Sequence, residues 1–260
     1  MKVFCCQHDI VWEQREPNHA KVKSLLAAAS IPRGSLVLLA EMFAAGFSLN
    51  IPAISEGTTK PTEKFLAETA RDLGIHLLGG VINDGANGRG RNEAVVFSPE
   101  GCEVARYCKT RPFTPGGETA NYELGTGPIL FDWNGCKVAP FICYDLRFPE
   151  IQRPAARAGA QLMTFIASWP DARLAHWVKL LQARAIENQC CVAGVNRIGT
   201  DPQFHYSGRS LIVSPTGEIL ADAGDREGVI GAEVDLAALA EYRMKLPFLS
   251  DIRGEFLPAR

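Results

Sequence analysis

Apolar runs of strand length recur along this chain, and many are separated by helical stretches, which restricts it to folds that stack helices on sheets. The runs are Lys2–Gln7, Leu36–Ala40, Ile75–Gly79, Ala94–Phe97, Val104–Cys108, Ile129–Trp133 and Lys137–Cys143, then Leu162–Ala167, Cys190–Asn196, Ser210–Ser214, Ile219–Asp222 and Val229–Val234. Asn18–Ala29 and Pro61–Leu73 read as crossover helices, the second entered at a proline and stopped by Gly74. Between Ala94 and Phe141 helices give way to antiparallel hairpins, turning at Ser98-Pro99-Glu100-Gly101 and Asn134-Gly135. A second series follows, with Leu174, Trp177, Val178, Leu181 and Ala185 along one face of a helix over Leu174–Asn188 and a hairpin turning at Pro215-Thr216-Gly217.

Mixed strands with two groups of helices predict an α/β, four-layer αββα sandwich, with a plain doubly wound sheet as the alternative. Nothing divides residues 1–260 into independent domains. The chain is 260 residues long and 47% hydrophobic. At such a length roughly 75% of the unfolded surface is buried on folding, enough for a core without disulfides. The stretches Asn83–Asn92 and Arg111–Pro128 are rich in Gly and Pro and read as long loops, usual places for function.

Charge narrows the partners. With 27 Lys plus Arg against 29 Asp plus Glu and no basic run, nucleic acid and anionic membranes are not expected partners, and a small molecule is. No stretch approaches the ~18 apolar residues of a spanning helix and the N-terminus turns polar early, so the expected location is the cytoplasm. The eight cysteines lie singly or in adjacent pairs, without CxxC or HxxxH spacing. They read as reduced, with no metal site expected.

Three residues stand where apolar runs end. Cys143 closes Val138-Ala139-Pro140-Phe141-Ile142 and precedes Tyr144-Asp145-Leu146-Arg147-Phe148-Pro149-Glu150, a passage from strand through turn to helix that presents a nucleophile rather than burying it. Glu41 closes Leu36–Ala40 in an apolar surround suited to proton transfer, and Lys109 closes Val104–Cys108. Singly, each charge would read as solvated.

Together, Leu38-Leu39-Ala40-Glu41-Met42-Phe43, Arg106-Tyr107-Cys108-Lys109, Ile142–Glu150 and Ala183–Gln189 resemble the nitrilase superfamily of carbon–nitrogen hydrolases, in family order and across nearly the whole chain. The resemblance implies a Glu41-Lys109-Cys143 triad that cleaves an amide through a cysteine thioester, with no cofactor. Lys109 and the backbone N–H of Tyr144 would hold the oxyanion, and Glu118 would be the family's second glutamate. It also implies a homodimer paired across a helical face. Ser168-Trp169-Pro170, His176-Trp177 and Glu241–Pro247 are similar to the bacterial omega-amidase branch, whose substrates, 2-oxoglutaramate and 2-oxosuccinamate, carry a carboxylate far from the amide. A cation should meet that carboxylate: Arg173, Arg147, Arg111 and His176 are candidates. Tyr122 and Trp169 are further candidates for the pocket. Lys109-Thr110-Arg111-Pro112-Phe113 departs from the Lys-x-His-Leu-Phe of many relatives, which leaves Arg111 either in the pocket or packed outside it. The alternatives are a deaminated glutathione amidase, an N-carbamoyl amino acid amidohydrolase, and a non-catalytic or thiol-redox scaffold of the same fold. A papain-like protease is disfavoured because no histidine has that family's surroundings.

Overall fold

The structure is a computed structural model that describes residues 1–256. In chain order its elements are β1 (Lys2–Gln7), α1 (Arg15–Ala28), β2 (Leu36–Leu39), α2 (Ile51–Ile54), α3 (Pro61–Leu73), β3 (His76–Asp84), β4 (Gly90–Phe97), β5 (Glu103–Cys108) and α4 (Glu118–Asn121). They continue with β6 (Phe131–Trp133), β7 (Cys136–Ile142), α5 (Pro149–Arg157), β8 (Leu162–Ala167), α6 (Leu174–Asn188), β9 (Cys191–Asn196), β10 (Ile198–Thr200), β11 (His205–Ser207), β12 (Leu211–Val213), β13 (Ile219–Asp222), β14 (Gly228–Glu233) and α7 (Leu236–Lys245).

Two six-stranded sheets carry the fold, in the orders β14-β1-β2-β3-β4-β5 and β13-β12-β9-β8-β7-β6. Each has parallel strands at its centre, β1-β2-β3 and β7-β8-β9, flanked by antiparallel ones. The period of two along a strand explains the stacking. In β2, Leu36 and Leu38 point into the core shared by the two sheets, while Val37 and Leu39 point into a second core with Val22, Leu26, Leu66 and Ala70 of α1 and α3. On the far side, Ile151, Ala155, Trp177, Leu181 and Ala185 of α5 and α6 close over the other sheet. Both faces of the central strands are therefore apolar, as a sheet covered on both sides requires, and the layers run helix, sheet, sheet, helix, as the sequence predicts.

The helix boundaries follow the local signals. Pro61 starts α3, and Gly74 ends it at φ 65° with its N–H on the carbonyls of Ala70 and Arg71. Helix α7 was not read from the sequence, although Asp235 caps it by accepting from the N–H groups of Ala237 and Ala238. The short hairpin β10–β11 was also missed. The stretch Asn83–Asn92 is not all loop: half of it is strand, because β3 runs to Asp84 and β4 begins at Gly90. Its polar, glycine-rich composition reflects what those strand ends hold together.

Candidate active site

Three strand ends, from both sheets, meet at one point. Glu41 leaves β2, Lys109 leaves β5 and Cys143 leaves β7, and each exit is fixed by its backbone. Met42, after Glu41, takes the left-handed conformation (φ 49°), and its carbonyl accepts from the N–H groups of Ala45 and Gly46. A side chain at Gly80 of β3 would fall 2.5 Å from the Met42 nitrogen and 2.8 Å from the Glu41 Cα, so the neighbouring strand stays bare where the glutamate turns inward. Lys109 donates its N–H to the Asn92 carbonyl at 2.9 Å and accepts from Gly125 N at 2.8 Å.

Cys143 sits at φ 46°, a conformation that costs a non-glycine residue about 1–3 kcal/mol and persists only when the surroundings over-determine it. Those surroundings centre on Asp145. Its buried carboxylate accepts from Ile142 N (3.0 Å), Arg111 N (2.8 Å) and the Tyr107 hydroxyl (2.8 Å). Burial pushes the Asp145 carboxyl up to about 7, against the pull of these donors and of Lys109. Beyond it, Arg184 donates to the Leu146 carbonyl through Nε (3.0 Å) and Nη2 (2.7 Å), and Gln152 to the Asp145 carbonyl. The turn is thus held from strand, loop and helix at once.

The polar cluster at the meeting point is closed to water. Lys109 Nζ lies 2.8 Å from Glu41 Oε1 and 3.1 and 2.8 Å from the two oxygens of Glu118, with the lysine 1% exposed and both glutamates 0%. Asn92 Nδ2 donates to Glu41 Oε1 (2.8 Å) and Glu118 Oε1 (2.9 Å). Ser168 N reaches Glu41 Oε2 at 2.9 Å and Phe113 N reaches Glu118 Oε2 at 2.5 Å.

Burial works against the charge on Lys109, but Glu118 and Glu41 overcome it and hold the ammonium well above the usual lysine range. The Cys143 thiol is pushed well above its ordinary value, first by burial and then by the charge of Glu41, with Glu118 adding to it and Lys109 opposing. At rest the cysteine is therefore a thiol, its Sγ 3.9 Å from the Ser168 carbonyl, and it needs a base to react.

One pocket opens onto the thiol, with about 380 Å³ of empty space. Lys109, Cys143, Tyr144 and Ser168 form its floor, and Phe47, Phe113, Trp169, Phe204 and Tyr206 its aromatic walls. Arg147 and Arg173 complete the lining. The Arg147 guanidinium lies 4.6 Å from the Trp169 ring centre, and that of Arg173 lies 5.4 Å from Phe113 and 6.0 Å from Phe204. Burial, and then the Arg173 charge beside it, lower the pKa of Arg147. Among the described residues neither guanidinium is ion-paired with a carboxylate. Two cations thus face one small cavity without a counter-charge.

Of the residues singled out in the sequence, Glu41, Lys109, Glu118 and Cys143 come together, and Tyr144, Trp169 and Arg173 line the cavity. The nucleophile is not presented as expected: Cys143 is buried at 9% exposure, because Tyr144, Trp169 and the strand ends crowd around the elbow. Three candidates stay off the pocket wall. The Arg111 side chain turns outward to Glu150 (3.3 Å) and Phe148, leaving only its N–H to serve Asp145. His176 is exposed on α6 and touches Arg147 at 3.4 Å. Tyr122 is fully buried behind the site with its hydroxyl on the Ser48 carbonyl (2.6 Å). Asn92 and the positioning carboxylate of Asp145 were missed. A signal for Asn92 existed: the period of two that sends Ala94 and Val96 into the inter-sheet core sends Asn92 the same way.

The sequence profile of the carbon-nitrogen hydrolase family matches residues 2–244. The chain is 34% identical over 254 residues to a 2-oxoglutaramate amidase of Bacillus subtilis (strain 168), covering 97% of this chain and 98% of that one. It is 34% identical over 253 residues to the omega-amidase YafV of Escherichia coli (strain K12), covering 96% of each. Among solved structures, a CN-hydrolase superfamily protein of Xanthomonas campestris with an arsenic adduct in its active site superposes with a TM-score of 0.89 at 31% identity, covering 100% of this chain and 99% of that one. The chain belongs to the carbon-nitrogen hydrolase family, as an enzyme acting on linear amides.

Proposed function

We propose that this enzyme hydrolyses the terminal amide of a small amide that carries a carboxylate at its other end, such as 2-oxoglutaramate or 2-oxosuccinamate, releasing ammonia. The observation that carries this reading is the pair of unneutralised guanidiniums, Arg147 and Arg173, in the same small cavity as the Cys143 thiol. A carboxylate is the complement of such a pair, and charge-assisted bonds to it are worth about 1.5–3 kcal/mol each. The relatives that act on such amides support the same substrate class.

In the proposed reaction Glu41 takes the thiol proton while the thiolate attacks the amide carbonyl. Lys109 and the Tyr144 N–H stabilise the oxyanion. Collapse of the tetrahedral intermediate breaks the C–N bond, the proton held by Glu41 passes to the leaving nitrogen, and ammonia departs. Glu41 then draws a proton from water, whose oxygen attacks the thioester and frees the acid and the thiol. Glu118 keeps Lys109 charged and in place. Every step uses side chains of this chain and water.

The test is ammonia release from 2-oxoglutaramate and succinamate beside deaminated glutathione, an N-carbamoyl amino acid, glutamine and a simple nitrile, for wild type and Cys143→Ala. Turnover of the first pair, lost in the variant, is the expected result. Turnover of only deaminated glutathione or the carbamoyl compound keeps the reaction and replaces the substrate. Peroxide reactivity of Cys143 without amide turnover points to a thiol sensor. We further propose that residues 1–260 act as one domain, in the cytoplasm, as a homodimer. Eight free cysteines support a reducing compartment, and exposed Ile186, Met244 and Phe248 support an apolar pairing surface around the end of α6.

A further inference from the structure

Asn92 is buried at 1% exposure between the two carboxylates, and its side chain closes a ring of hydrogen bonds that runs Glu41 Oε1, Lys109 Nζ, Glu118 Oε1, Asn92 Nδ2 and back to Glu41. Both groups facing the amide are acceptors, so it must turn its NH2 toward them, one hydrogen to each. The consequence is visible on its other side, where Asn92 Oδ1 is buried without a partner among the described residues. An amide that leaves its oxygen unsatisfied to serve two glutamates is held for what its nitrogen does. The backbone of the same residue accepts from Lys109 N, so one position of β4 fixes the lysine from its main chain and both carboxylates from its side chain.

Charge arithmetic shows why a neutral donor is needed there. One ammonium faces two carboxylates, and the excess negative charge raises the thiol, as the effects of Glu41 and Glu118 on Cys143 record. A second cation in place of Asn92 would neutralise Glu41 and spoil it as a proton acceptor. No donor at all would let the carboxylates repel, and Glu41 would swing from the thiol. We propose that Asn92 is a positioning residue: its amide holds Glu41 aimed at Cys143 and sets how readily the thiol gives up its proton. The inference rests on the reading of Glu41, Lys109 and Cys143 as the reacting cluster, but not on any particular amide.

The experiment compares wild type with Asn92→Ala and Asn92→Asp, following alkylation of Cys143 by iodoacetamide against pH at the Cys143 peptide by mass spectrometry, alongside kcat and KM. In Asn92→Ala, kcat falls roughly 100-fold, as misplacement by about 1 Å does, while KM changes by less than about threefold. The pH midpoint of alkylation moves down, because Glu41, released by the missing amide, swings from the thiol and its charge weighs less there. It moves up in Asn92→Asp, which adds a third carboxylate in the same shape. A kcat loss that tracks a lower melting temperature while the midpoint stays at the wild-type pH means packing alone and overturns the proposal. Should Asn92→Ala fail to fold, a wild-type midpoint in Asn92→Asp overturns it equally. Because alkylation is read without turnover of any substrate amide, a wrong substrate leaves this test intact.

Discussion

Strand β4 carries two clusters of nearly the same composition, one on each face. On the inner face Lys109 and Asn92 bridge Glu41 and Glu118. On the outer face Arg106 Nη1 bridges Glu63 (3.0 Å) and Glu93 (2.6 Å), and Asn83 Nδ2 bridges the same pair at 2.9 and 2.8 Å. The difference is balance and access. The outer cluster adds Lys60 on Glu63, Arg91 on Glu93 and Glu103 on Arg106, so three cations serve the three carboxylates around Asn83, with Arg91 also reaching Glu123 at 3.8 Å, and its cations reach solvent. The inner one is sealed, one positive charge short, and its remaining neighbour is a thiol at the foot of a pocket. A cation, an amide and two glutamates make a brace when neutralised, and a proton-transfer site when left short of charge beside a nucleophile.

Substitution separates the two most sharply at their centres. Cys143→Ala abolishes turnover, and Glu41→Gln costs about 100- to 10,000-fold in kcat, the range for a general base. Lys109→Met removes an oxyanion donor and leaves two buried carboxylates facing each other, so it costs at least about 100-fold. Steady-state ammonia release with circular dichroism as the folding control checks all three; an active Glu41→Gln would remove the distinction between the clusters.

The pocket mouth comes next. Arg173→Ala and Arg147→Ala raise KM for a carboxylate-bearing amide about 10- to 100-fold each, the value of one charge-assisted bond. Turnover of an uncharged amide changes far less, so the ratio of the two substrates, measured per variant, tells recognition from catalysis.

Arg106→Met in the outer cluster should do the reverse, lowering stability by about 1–3 kcal/mol with kcat/KM unchanged for the folded fraction. Denaturant unfolding beside kinetics reads both. A large loss of kcat with little loss of stability would show that the brace reaches the site.

The smallest effects are those of acid on stability. Burial favours protonation of Glu63, but Arg106, Asn83 and Lys60 outweigh it and hold its pKa below the ordinary 4.5. The unfolded chain then takes up the proton first, so this stability is whole above 4.5 and is lost as pH falls through the lower folded value. Buried His8 acts earlier. Its pKa drops from 6.5 to about 4, chiefly by burial, so the unfolded state protonates first and stability declines from pH 6.5 toward 4. Melting temperature against pH should show both slopes, and Glu63→Gln should flatten only the lower one.

The same comparison marks how far the sequence could be read. Period-two runs, a proline at Pro61 and a glycine at Gly74 were enough for the sheets and for α3, because each signal acts within a few residues. Cys143 and its flanks were legible as a strand-to-turn elbow, and Glu41 and Lys109 as charges closing apolar runs. Asn92 and Asn83 were not, since both sat in a stretch whose glycine, asparagine and arginine content reads as loop. Arg111 and His176 looked as suitable as Arg173 for a substrate carboxylate until α5 and α6 were in place.

The sequence by itself determined the layers, the strand ends and the residue types at them, because alternation of apolar and polar side chains is a local code for which face is buried. Only the tertiary structure decided which charges share a cavity. Glu41 and Ser168, 127 residues apart, are joined by a hydrogen bond of 2.9 Å, and Asn92 and Glu93, adjacent in the chain, serve opposite faces of one sheet. Electrostatic balance is a sum over distances in space, and burial sets its weight. Neither quantity exists until the strands have been placed side by side.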